Sequence, residues 1–101
     1  VDYDKLQHAA ARQQLTLLGG VLGVVTKGAD VISPALVLIE RNVQVPLDNG
    51  LSVELRTIAN LLKQEVGEIK QRDSIAAAGK NYSVSDLMED DGYVVRVFVR
   101  G

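Results

Sequence analysis

The chain has 101 residues, with 11 basic and 13 acidic side chains, a formal net charge of −2 and a sequence pI of about 5.3. It carries no cysteine and one histidine, His8, which excludes disulfide frameworks, cysteine nucleophiles, zinc ribbons and any multi-histidine metal site within one chain. Residues 1–50 hold 4 basic and 5 acidic side chains and residues 51–101 hold 7 and 8, so the basic footprint of a nucleic-acid binder is missing from both halves.

The length suits one domain over 1–101. Val, Leu and Ile number 33, against one Phe, three Tyr and no Trp, so the expected core is aliphatic. The chain opens on Val1, which reads as a processed or excised product. Its first residues, Val1 to Lys5, are acidic, unlike the basic start of a signal peptide.

Asp4 and Gln7 have capping-box spacing. Around them Tyr3, Leu6, Ala10, Gln13, Leu17, Gly20 and Val24 recur at three- and four-residue steps, joined by a second stripe of Leu15, Leu18, Leu22 and Val25. The pattern predicts a helix over about 5–27, stopped by Lys27-Gly28 and roughly 35 Å long. Gly19 and Gly23 share one face of it. They read either as a weak point or as a place where another helix comes close. Residues 15–39 carry only Lys27 and Asp30 as charges. The stretch is long enough to span a membrane, but those charges, Gly28 and Pro34 interrupt it. A helix buried in an assembly is the preferred reading.

Ser33-Pro34 suits a helix start. Val37, Ile39, Val43 and Val45 nevertheless alternate and are β-branched, which predicts a strand over about 36–45, ended by Pro46. Asp48-Asn49-Gly50 reads as a turn into a second helix over about 51–78. Leu55, Leu62, Ile69 and Ala76 are seven apart, with Leu51, Ile58, Glu65 and Arg72 in the alternate seam position. Leu51, Leu55, Ile58 and Leu62 thus form an apolar coiled-coil seam, which Glu65 and Arg72 interrupt. A charge at Ile58 is expected to split an assembly built on that seam.

Gly79 ends the second helix, and Ser83 or Ser85 caps a helical turn through Leu87 and Met88. Asp91-Gly92 is a turn. The last element is a strand over 93–100, with Tyr93, Val95, Val97 and Val99 on one face and Val94, Arg96, Phe98 and Arg100 on the other. Its expected partner is the 36–45 segment or a neighbouring chain. The fold expected is α+β and predominantly helical. It comprises two long helices, a short helical turn and a small two-stranded or intermolecular sheet ending in the C-terminal strand.

No constellation points to catalysis. His8 stands alone on its helix, and a surface role is favoured over a general base or a metal ligand. Glu89, Asp90 and Asp91 lack the alternation of a calcium loop. Gly19-Gly20-Val21-Leu22-Gly23 lacks the Gly-Lys-Ser/Thr ending of a phosphate loop. Asn81-Tyr82-Ser83 fits a glycosylation sequon, and Arg96 and Arg100 more simply keep a strand edge soluble. No enzyme activity, cofactor or metal is expected. The expectation is a self-assembling structural or assembly subunit, such as a phage or virus particle component. Its homo-oligomer interface would be built from Leu15, Leu18, Gly19, Leu22 and Gly23, from Leu51, Leu55, Ile58 and Leu62, and from Val95, Val97 and Val99. The alternative is a small dimeric adaptor or regulator that binds a protein partner or DNA. The acidic balance argues against nucleic acid, and the interrupted apolar run argues against a membrane.

Overall fold

The computed structural model describes residues 3–48 and 50–101; Val1, Asp2 and Asn49, the middle of the expected turn, lie outside the described residues. A helix, α1 (Tyr3–Leu17), precedes β1 (Val21–Lys27), β2 (Asp30–Pro46) and β3 (Val53–Leu62). A short helix, α2 (Lys63–Val66), leads to β4 (Ser74–Ala77), β5 (Lys80–Asp90) and β6 (Val94–Arg100). The strands close into a barrel in the order β1-β2-β3-β6-β5-β4, and every neighbouring pair is antiparallel. Strand makes up 57% of the chain and helix 19%, so the predominantly helical α+β expectation is wrong.

The first correction is where α1 stops. The amide of Gly20 donates to the carbonyl of Leu15 at 2.9 Å, and that of Gly19 to Thr16 at 3.2 Å. This is a Schellman ending, and Gly19 supplies the left-handed residue it needs, with φ +102°. The helix therefore ends at Leu17 rather than near residue 27. Val21, Val24, Val25 and Thr26 then take the strand conformation their branching favours. Gly23 serves a close backbone approach after all, but from a strand: a Cβ there would lie 2.3 Å from the carbonyl oxygen of Ala76 on β4.

The second correction is residues 51–78, which form β3, α2 and β4 instead of one helix. The coiled-coil seam dissolves because strand periodicity separates its members. Ala59 and Leu61 face the barrel interior, and Leu55 continues that stripe beyond the barrel's end, whereas Ile58 and Leu62 face outward. The helical turn expected at Leu87 and Met88 is strand too, part of β5, which carries two bulges.

The strand expected over 36–45 exists but runs from Asp30 to Pro46. The C-terminal strand is present over 94–100, and Val95, Val97 and Val99 are buried as the alternation required. Its partners are β3 and β5 of the same chain, not the 36–45 segment.

The interior is filled by small and branched side chains, among them Val25, Val37, Ala59, Leu61, Ile75, Val95 and Val97. A narrow barrel accepts such residues and little else. Tyr82 is its one aromatic, and its hydroxyl accepts a hydrogen bond from Arg41 at 2.8 Å. Outside the barrel, Ala11 and Leu15 of α1 cover Leu36 of β2 and Leu62 of β3. Arg12 pairs with Glu65 at 2.9 Å, and Tyr93 donates its hydroxyl proton to Asp4 at 2.9 Å, tying the helix down.

Candidate functional site

Two surface features stand out, and β2 contributes to both. The first is a hairpin arm. β2 pairs with β1 only up to Val37↔Val21, and β3 pairs with β6 only from Thr57↔Val99. Beyond those points β2 and β3 continue together through Val43↔Arg56, Gln44↔Leu55, Val45↔Glu54 and Pro46↔Val53, with no third strand beside them among the described residues. The long axis of the molecule is accordingly 47 Å, against 31 and 22 Å for the other two. Where the arm leaves the barrel, a bulge between Glu40 and Val43 places Asn42 at φ 57°, a conformation asparagine tolerates.

The arm has two unlike faces. Leu55 and Val53 extend the inward stripe of β3 past the end of the barrel, where no core receives them. They are 59% and 55% exposed. Leu47 and Leu51 at the tip are 40% and 92% exposed. The opposite face carries Glu54 and Arg56 beside Val45 and Val43 of β2, while Gln44 and Pro46 share the face of Leu55 and Val53. The Arg56 guanidinium lies 4.2 Å over the Phe98 ring and donates to Ser85, which fixes the base of the arm to β5 and β6.

The second feature is a groove of about 510 Å³ between the end of α1 and the outer faces of β2, β3 and β6. Leu15, Leu18, Leu38 and Val94 are among its apolar walls. Three of its polar residues satisfy one another. Asn60, buried, donates to the Leu38 carbonyl at 3.2 Å and to Glu40 at 2.7 Å, and accepts from Arg96 at 3.0 Å. Arg96 also pairs with Glu40 at 3.4 Å and Glu89 at 3.5 Å.

The residues singled out from the sequence divide between interior and surface. Ile58, Leu62, Val95, Val97 and Val99 are buried within this chain, as is Leu15 on the inner face of α1. Gly19 is the helix stop and Gly23 lies at the β1–β4 seam. Leu18, Leu22, Leu51 and Leu55 are on the surface. Leu18 belongs to the groove, and Leu51 and Leu55 to the arm. Sequence reasoning missed Leu47 and Val53, although Val53-Glu54-Leu55-Arg56 alternates strictly and carries a strand signal.

The polar candidates have separate structural tasks. Glu89 pairs with Arg96, and Asp90 accepts a hydrogen bond from Lys63. Asp91 accepts from the amides of Tyr93 and Val94 and so builds the β5–β6 turn. The Lys63 ammonium, with the Gly92 amide, holds the Asp90 carboxyl below the ordinary carboxylate range. Asp4 holds the Tyr93 phenol above its usual value by accepting its proton in a hydrogen bond. His8 lies edge-on to Tyr93, with ring centroids 4.9 Å apart, and 3.6 Å from Asp4. Among the described residues no three acids, histidines or cysteines converge as a metal site. No described helix is long and apolar enough to cross a membrane.

No family model matches the chain, and no curated protein matches it. The coiled-coil expectation is corrected by the barrel, and the expectation of a viral or structural protein finds no relative to support it.

Proposed function

We propose that the chain is a non-enzymatic assembly subunit that self-associates through its hairpin arm. The observation that carries this reading is the arm's apolar face, continuous in pattern with the barrel core yet left in water. Leu47, Leu51, Val53 and Leu55 together expose on the order of 400 Å² at and beside the tip of the arm, within the roughly 300–600 Å² of the largest apolar patch on an ordinary monomer, which is often functional. On the β2 edge, docking by side chains is favoured over strand addition. Pro46 and the bulge at Asn42 interrupt the β2 edge, and such features block pairing with a foreign strand.

At about 25 cal/mol per Å², burying that face contributes about 10 kcal/mol before the costs of association. Those costs are of the same order, about 4–15 kcal/mol. The association is therefore concentration-dependent. Light scattering tests it. The unmodified chain is expected to rise above its monomer mass of 10.9 kDa as concentration increases. The double variant Leu51→Glu/Leu55→Glu is expected to stay monomeric with an unchanged melting temperature. An unmodified chain that is monomeric throughout, or a variant that associates like it, contradicts the proposal.

A further inference from the structure

We infer that the arms of two copies join by edge-to-edge pairing of β3, antiparallel across a two-fold axis at Val53; the inference rests on the assembly reading above and deepens it. Backbone groups on a strand point alternately to its two sides. The Leu47 amide donates to the Ser52 carbonyl at 3.0 Å, so the even-numbered residues of β3 turn their groups toward β2. On the other side the Lys63 amide donates to the Tyr93 carbonyl at 3.0 Å, so the odd-numbered residues face β6. That pairing ends at Thr57↔Val99. Val53 and Leu55 therefore turn their N–H and C=O groups to an edge where no backbone partner meets them among the described residues. The same alternation puts their side chains on one face, where they are 55% and 59% exposed. At these two residues an open strand edge and an exposed apolar stripe coincide, a combination that proteins ordinarily cover.

The stripe is its own complement. A second β3 laid antiparallel keeps odd residues opposite odd residues, because only they direct backbone groups into the joint. With Val53 opposite the partner's Val53, Leu51 meets the partner's Leu55 and Leu55 meets the partner's Leu51. One face of the joint is then wholly apolar, and on the other Glu54 stands opposite the partner's Ser52. The neighbouring registers are worse. Shifted by two toward the barrel, Glu54 faces the partner's Glu54, and the partner's Leu51 falls beside Thr57, whose edge Val99 already fills. Shifted by two toward the tip, Leu55 faces the partner's Asn49, a polar residue. The occupant that fits is a second copy, and the contact is isologous, closing at two chains. Two faces of about 400 Å² each fall short of the roughly 1,200–2,000 Å² of a standard stable interface, so the dimer forms and dissociates with concentration.

Disulfide trapping reads the register, since the chain has no cysteine of its own. Residues directly opposite in a hydrogen-bonded antiparallel pair have Cα atoms about 5.5 Å apart, within the roughly 4.4–6.8 Å that a disulfide spans. The single variants Val53→Cys, Leu51→Cys and Leu55→Cys are incubated with oxidised glutathione at a concentration where the unmodified chain associates. Melting curves verify that each is folded. Val53→Cys is expected to form a disulfide dimer about ten times faster than Leu51→Cys or Leu55→Cys alone, whose two thiols lie roughly 13 Å apart along the joint. Mixed one to one, Leu51→Cys and Leu55→Cys are expected to give the mixed dimer in preference to either homodimer. If the unmodified chain associates but Val53→Cys cross-links no faster than the other two, the arms meet otherwise than by this edge; the inference fails and the assembly reading survives. A mixture with no preference for the mixed dimer also overturns the inference. An unmodified chain that never associates overturns both.

Discussion

Ile58 shows how one residue changes meaning with the period of its element. In a helix it joins Leu51, Leu55 and Leu62 on one stripe. In a strand it shares a face with Asn60 and Leu62, and its accessibility falls to 0%. A change there acts on folding before it acts on association. Ile58→Ala is expected to destabilise the chain by about 2–5 kcal/mol, the range for truncating a buried isoleucine. Urea unfolding of the variant at a concentration too low for association measures this. A variant as stable as the unmodified chain contradicts the placement. Gly19 teaches the complementary lesson. Its helix-ending signal was present in the sequence, but the apolar stripe continued past it through Leu22 and Val25. A stripe at helical spacing and a strand rich in valine are alike over a few residues. The amides of Gly19 and Gly20, bonded back to Thr16 and Leu15, resolve the two.

Among the elements, β6 was the most legible. It is covered on one face by the barrel interior and is more open on the other, so Val95, Val97 and Val99 alternate with Arg96 and Phe98. β3 was illegible for the opposite reason. From Ile58 to Leu62 it is buried on both faces, by the barrel core on one side and, at Leu62, by α1 on the other, and a strand buried twice loses its period-two pattern. The partners of β6 could not be read at all, because alternation fixes a strand's faces and not its neighbours. The link between α2 and the β5–β6 turn depends on Lys63 and Asp90, and it carries a pH signature. Asp90 titrates below the roughly 3.9 of an unfolded aspartate. The pair's contribution is therefore fully present above about pH 4 and is lost as pH falls through the lower, folded value. Asp90→Asn is expected to cost about 0.5–1 kcal/mol at pH 7, the scale of a partly exposed pair. The deficit should vanish in acid below the folded value. Paired denaturant melts at neutral and acidic pH read this difference, and a deficit that is constant with pH contradicts the assignment.

For the whole molecule, closure is what gives the arm its significance. The barrel pairs the strands around its ring and so removes open sheet edges. The arm is where β2 and β3 outrun that closure, carrying the inward stripe of β3 into solvent at Leu55 and Val53. The sequence did mark Leu51 and Leu55 as surfaces for association, for a helical reason that does not hold. What it concealed was the groove, whose lining residues come from α1, β2, β3 and β6 and are brought together only by the barrel's strand order. Amide hydrogen exchange in the unmodified chain, compared between dilute and concentrated samples, tests most directly whether the arm is the associating element. Exchange is expected to slow with concentration at residues 50–56, with rates in the barrel strands unchanged. Equal rates at 50–56 in the two samples would contradict the account.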